Sequence, residues 1–123
     1  MINLGTIIIL TALILPLRAL ADDVARSGTL YKDPNCGCCE DYAKYLRQNG
    51  FEINIVPTHE LAQLRAAQHV PEDLAGCHMT LINGYVVEGH VPVEMIHRLL
   101  GEKPAIRGIS LPGMPQGSPG MSG

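Results

Sequence analysis

The dipeptide Asn83-Gly84 constrains the fold of this chain more than any other local feature. A two-residue type I′ turn needs positive φ angles at both central positions, which Asn and Gly adopt most readily. Strand-forming residues flank the pair, at Met79–Ile82 and Tyr85–Glu88. The sequence therefore predicts an antiparallel hairpin in the second half of the chain.

The first half predicts a strand, a helix and a second strand. Thr29–Tyr31 is a short candidate strand, and Phe51–Ile55 alternates apolar and polar residues, as a half-buried strand does. Between them, Cys39–Asn49 has helical periodicity, with Gly50 suited to the position after the helix. One face of this helix carries four apolar residues, namely Cys39, Tyr42, Ala43 and Leu46.

Two further helices complete the pattern. Thr58 can cap a helix from His59 to about His69, and Pro92 can open a last helix that ends before Gly101. The order is βαβ followed by ββα, which predicts a small mixed sheet with flanking helices. This α/β layout is that of the thioredoxin-like fold, followed here by a Pro/Gly-rich C-terminal extension.

The N-terminus predicts export. Leu4–Leu17 is uncharged and strongly apolar, and Arg18 and an Ala19-Leu20-Ala21 cleavage signal follow it. Residues 1–21 are predicted to be a signal peptide, because the run is shorter than the roughly 20 residues of a spanning helix. Residues 22–123 would then form a single domain with no membrane attachment. The net charge of −3 and the absence of Trp and of a basic run argue against nucleic acid as a partner.

Three of the four cysteines lie within four residues, at Cys36, Cys38 and Cys39, and Cys77 is the fourth. Export implies an oxidising compartment in which thiols tend to pair. Complete pairing within this cluster would need Cys77 and one strained local bridge. The spacing therefore suggests that something other than two disulfides occupies these sulfurs.

Three functions are compatible with the cluster. Cys36 and Cys39 have the C-x-x-C spacing of a thiol–disulfide oxidoreductase at a helix N-terminus, although Glu40 and Asp41 disfavour thiolates there and no proline directly precedes the third strand. Four cysteines can hold one structural zinc, although three clustered ligands chelate a single tetrahedral ion awkwardly. The pattern favours one or more Cu(I) ions, because soft thiolates select Cu(I) and can bridge several ions.

Other candidate ligands lie further along the chain. Met114 and Met121 fall in residues 104–123, where nine Pro or Gly favour a flexible tail; the alternative is a loop that folds back and presents thioethers to a metal. His90 can either touch the metal or hold its own loop by hydrogen bonds. His78 is predicted to be structural, because in a strand it would point away from Cys77.

Several separated motifs occur together: residues 31–39 (YKDPNCGCC), 50–51 (GF), 76–78 (GCH), 84–92 (GYVVEGHVP) and 111–121 (LPGMPQGSPGM). This string resembles the CopG-type copper-resistance proteins of the bacterial periplasm, a family long described as metal-binding and of unknown function. The resemblance spans about residues 30–121. One departure is Tyr42, where the family often has Trp.

The resemblance implies a thioredoxin-like fold and a periplasmic role in copper handling. It assigns Cys36, Cys38, Cys39 and Cys77 to a cysteine-bridged copper cluster. Partners would be copper ions and other envelope copper carriers. The string Ser-Pro-Gly-Met at 118–121 also favours a specific role for the tail over the flexible alternative.

Overall fold

The computed structural model describes residues 26–121, so the predicted signal peptide lies outside the described part of the chain. The helices are α1 (Gly37–Gln48), α2 (Leu61–Ala67) and α3 (Val93–Glu102), and a 3₁₀ turn spans Glu72–Leu74. The strands are β1 (Ser27–Lys32), β2 (Glu52–Pro57), β3 (His78–Ile82), β4 (Tyr85–Gly89) and β5 (Gly108–Leu111). None of the helices within residues 26–121 is long and apolar enough to cross a membrane.

The strands form one mixed sheet in the order β2-β1-β3-β4-β5. β1 runs parallel to β2 and antiparallel to β3, β3 is antiparallel to β4, and β4 is parallel to β5. The predicted α/β class and the βαβ–ββα order are therefore confirmed. The closer comparison with thioredoxins stays a prediction.

The hairpin between β3 and β4 is confirmed in its turn geometry. Asn83 has φ 47° and Gly84 has φ 81°, so both central residues are left-handed as a type I′ turn requires. Ile82 pairs directly with Tyr85 across the turn. This short connection places the start of β3 beside the end of β4, where Cys77 and His90 flank the two strands.

Helix α1 buries the face that its periodicity predicts, since Cys39, Tyr42, Ala43 and Leu46 are all fully buried. Gly50 follows it with φ 88°. The helix begins at Gly37, two residues earlier than predicted, and Cys36 is its N-cap. The cysteine cluster thus occupies the end of the β1–α1 loop and the first turn of the helix.

The C-terminal region departs most from the sequence-based expectation. β5 was not predicted, because it is four residues long, lies at the sheet edge and sits among residues typical of loops. Gly108 permits its pairing, since a Cβ atom there would overlap the carbonyl oxygen of Val86. Helix α3 also runs past Gly101 to Glu102 and ends with Lys103 in a left-handed conformation, φ 48°.

Candidate metal centre

The four cysteine sulfurs converge at one end of the sheet. The Sγ atoms of Cys36, Cys38, Cys39 and Cys77 all lie within 4.8 Å of one another. Cys39 is fully buried, and the other three are half-buried. The N-cap and first turn of α1 supply three of these side chains, and the segment before β3 supplies the fourth. The fold thus brings together Cys39 and Cys77, which are 38 positions apart in the sequence.

Cys36 and Cys39 form a disulfide, and Cys38 and Cys77 are free thiols. The Cα atoms of the bonded pair are 5.6 Å apart, within the ordinary range for a disulfide. The Cys38 sulfur lies 3.4 Å from the Cys36 sulfur. The disulfide therefore has the C-x-x-C pairing of an oxidoreductase. The same two sulfurs, together with those of Cys38 and Cys77, also lie close enough to share a metal ion.

Two histidines face the Cys77 thiol. The Cys77 Sγ is 3.2 Å from His78 Nδ1 and 3.3 Å from His90 Nε2. The opposite ring nitrogens donate to backbone carbonyls, His78 Nε2 to Gly89 at 3.0 Å and His90 Nδ1 to Pro119 at 2.5 Å. Because a carbonyl only accepts, these bonds assign the tautomers and leave a lone pair on each ring facing Cys77.

The expectation that His78 points away from Cys77 is wrong. Strand alternation applies only within a strand, and β3 begins at His78, so Cys77 lies outside it. The turn at Gly76-Cys77 lets the thiol and the imidazole converge. The spacing Cys-His followed by His90 was the only sequence signal for this arrangement.

Burial sets the protonation of this part of the site. It raises the pKa of the Cys77 thiol to about 12, with a further contribution from the neighbouring Cys38. Burial also lowers the pKa of His78 to about 3, assisted by His90. At neutral pH Cys77 is therefore a thiol and His78 a neutral imidazole, and a metal that binds Cys77 must displace its proton.

Positive charge beside the cluster is neutralised locally. Lys32 is buried, and its Nζ donates to Glu40 Oε1 at 3.1 Å. Glu40 itself is exposed. This lysine is thus paired with an acidic residue of the first turn of α1.

A search of known proteins places this geometry in a family. Two solved structures with the titles "Copper resistance protein copG- Form 2" and "Copper resistance protein copG- Form 1" each share 38% sequence identity with this chain. The match to the first structure spans 79% of this chain and 77% of the matched chain, with a TM-score of 0.74. The match to the second spans 78% of this chain and 76% of the matched chain, with a TM-score of 0.73. The chain belongs to the CopG family.

A family profile described as "Protein of unknown function, DUF411" also matches residues 74–121. This CopG-family segment contains Cys77, both histidines that face it and the C-terminal loop. No curated protein matches the chain significantly.

In this CopG-family chain, the aromatic residue beside the two histidines of the site is Tyr42. Its ring stacks on His78 with centroids 4.7 Å apart and meets His90 edge-on at 5.2 Å. Its hydroxyl donates to the carbonyl of Val91 at 2.7 Å, and burial raises the pKa of its phenol. Tyr42 therefore packs against both of the imidazoles that face Cys77.

The tail folds back onto the site, as the second of the two sequence-based alternatives expected. Gly120 lies against α1 so closely that a Cβ atom would be 2.8 Å from the Tyr42 nitrogen. Pro119 accepts the hydrogen bond from His90. Met121 is half-buried beside these residues, whereas the Met114 side chain is 55% exposed. Metal contact by either thioether stays a prediction.

Proposed function

We propose that this protein binds copper in the bacterial periplasm and contributes to copper resistance, holding Cu(I) in a thiolate cluster of Cys36, Cys38, Cys39 and Cys77. The observation that carries the proposal is the convergence of four sulfurs within 4.8 Å. Membership of a family whose solved structures are titled copper resistance proteins supports the choice of metal.

The donor set suits Cu(I) better than a harder cation. Thiolates and thioethers are soft ligands that select Cu(I), and imidazole is compatible with copper. Thiolate sulfurs this close together can each bridge two ions, so the cluster could bind more than one copper ion. His90 would add an imidazole from the Cys77 side, and His78 offers a second lone pair there. Met114 and Met121 would be neutral sulfur ligands from the tail.

Loading the four sulfurs requires a reduced protein. The Cys36–Cys39 disulfide must accept two electrons before both sulfurs can act as thiolates. The reverse reaction gives the site a means of changing copper's oxidation state: two Cu(II) ions would each take one electron as the two thiols form a disulfide and release two protons. Copper could thus be sequestered, or reduced and passed on to other envelope copper carriers.

Metal analysis of the purified protein tests this function. The protein is reduced, loaded anaerobically with Cu(I) and washed with a competing chelator. We expect more than one retained copper per chain, and a loss of retained copper in Cys38→Ser. His59→Gln serves as the control, because His59 is an exposed histidine outside the cysteine and histidine cluster. If Cys38→Ser retains as much copper as the parent, the cluster proposal is wrong, and one tightly held zinc that Cu(I) does not displace would indicate a structural zinc site.

A second candidate function is thiol–disulfide exchange by Cys36 and Cys39. The observation that favours it is their disulfide at the N-terminus of α1, the position at which helix dipoles stabilise a thiolate. It predicts reduction of insulin by the metal-free dithiol form, with a rate that Cys38→Ser leaves unchanged. Insulin reduction that requires Cys38, or none at all, would dismiss this candidate.

A further inference from the structure

The segment that carries Cys77 is held by a buried ion pair. Arg65 on α2 donates from Nε to Glu88 Oε1 at 2.9 Å and from Nη2 to Glu88 Oε2 at 3.1 Å. The side chains of the two residues are 16% and 2% exposed. A bidentate pair of this kind fixes both side chains in one orientation.

Both charged groups also form hydrogen bonds with the backbone of Gly76. The Gly76 N–H donates to Glu88 Oε2 at 2.8 Å, and its carbonyl accepts from Arg65 Nη2 at 2.6 Å. A Cβ atom at Gly76 would lie 2.7 Å from the Cα of Gly89, so the two glycines are in close backbone contact. Cys77 follows Gly76 and His90 follows Gly89, and the pair therefore sets the approach of these two residues.

The Arg65–Glu88 pair also ties helix α2 to the sheet. None of the seven residues of α2, all of which the structure describes, is fully buried. An amphipathic helix is normally held by an apolar face that packs on the sheet. In α2, Arg65 supplies a polar contact to the sheet instead, since its partner Glu88 lies on β4.

We propose that Arg65 and Glu88 are positioning residues of the metal centre: they clamp Gly76 and thereby hold the Cys77 sulfur against His90 and the other three cysteines. This rests on the proposed copper-binding function. Groups that orient metal ligands without touching the metal typically contribute 10- to 100-fold to affinity. Lys cannot replace Arg here, because one ammonium lacks the planar fork that reaches Glu88 and the Gly76 carbonyl together.

A double-mutant cycle in the full chain tests the clamp. Cu(I) affinity is measured by chelator competition for the parent, Arg65→Lys, Cys77→Ser and the double variant. We expect Arg65→Lys to weaken Cu(I) binding about 10- to 100-fold, but to change it less than about twofold when Cys77 is already Ser. Arg98→Lys, in the exposed pair with Glu102, is the matched control and should have no effect in either background.

An equal loss of affinity in both backgrounds, or none in either, would overturn the clamp. If Arg65→Lys does not fold, as judged by its urea unfolding midpoint, Glu88→Gln is measured in the same cycle, since it keeps one carbonyl for the Gly76 N–H. A parent protein that binds no Cu(I) would refute the proposed function, and the clamp is then tested without metal. In that case Arg65→Lys should raise the alkylation rate of Cys77 relative to Cys38 at least several-fold, and an unchanged ratio would refute it.

Discussion

Removal of the Tyr42 hydroxyl should destabilise the protein through the segment that carries His90. In Tyr42→Phe the ring still packs on His78 and His90, with centroid distances of 4.7 and 5.2 Å in the parent. The change removes only the donor to the Val91 carbonyl, a bond of 2.7 Å. Val91 is 3% exposed, so water cannot readily replace that donor.

The magnitude follows from the loss of one buried hydrogen bond. An unsatisfied buried acceptor costs about 1–3 kcal/mol. For a domain of this size each kcal/mol lowers Tm by roughly 4–8 °C. Copper retention should be almost unchanged, because the hydroxyl bonds to the backbone beyond His90 and to none of the sulfurs.

Urea unfolding of the metal-free protein, followed by circular dichroism, measures the free energy of unfolding. Tyr31→Phe is the matched control, because the half-buried Tyr31 makes no side-chain hydrogen bond within residues 26–121. The control should lie within about 0.5 kcal/mol of the parent, as is usual for changes that break no specific interaction. A Tyr42→Phe protein as stable as the control would show that the Val91 bond does not hold the loop.

Three further changes have distinct expected outcomes. Gly120→Ala should release the tail and make residues 115–121 more sensitive to proteolysis, because the added Cβ would lie 2.8 Å from the backbone of Tyr42. The control is Gly117→Ala, which has the same φ of 79° but no atom within 4 Å of the added Cβ. An equal effect of both substitutions would mean that backbone strain alone causes the release. Gly84→Ala, at φ 81°, should lower the free energy of unfolding by about 1–2 kcal/mol, and an unchanged urea midpoint would contradict the turn assignment. The metal-free protein should lose stability as pH falls from 6.5 towards 3, because His78 binds a proton readily when unfolded but only near pH 3 when folded. The free energy of unfolding should fall by up to about 1.4 kcal/mol per pH unit in this range. His78→Gln should reduce this pH dependence, and an unchanged dependence would dismiss His78 as its cause.

Local patterns predicted the elements that have strong local signals. The Asn83-Gly84 turn requires backbone angles that few other pairs adopt, so its hairpin could be read from two residues. The buried face of α1 followed from periodicity, because every fourth or third residue of a helix shares one side. β5 lacked any such signal, since its pairing with β4 depends on a contact between Gly108 and Val86 that only the tertiary fold creates.

The site was predictable to the extent that its residues are themselves unusual. Three clustered cysteines indicate reactive or metal-binding sulfur wherever they fold. The position of Cys77 beside them follows from the antiparallel pairing of β1 with β3, which the structure shows. His78 and the Arg65–Glu88 pair carry no such mark, since a histidine and a salt bridge are common on any surface. Their roles arise from burial and from the approach of Gly76 to Gly89, which are properties of the assembled fold.

The disulfide and the proposed copper cluster use the same atoms, and this relates the two candidate functions to one another. Cys36 and Cys39 can either bond to each other or donate two thiolates to a metal, but one sulfur atom cannot do both. Cys38 and Cys77 remain thiols in the disulfide form, so they are available to receive copper first. The third thiol inside the C-x-x-C spacing thus makes the disulfide pair part of a larger sulfur site. In the proposed function, the oxidation state of Cys36 and Cys39 would set how many thiolates are available to copper.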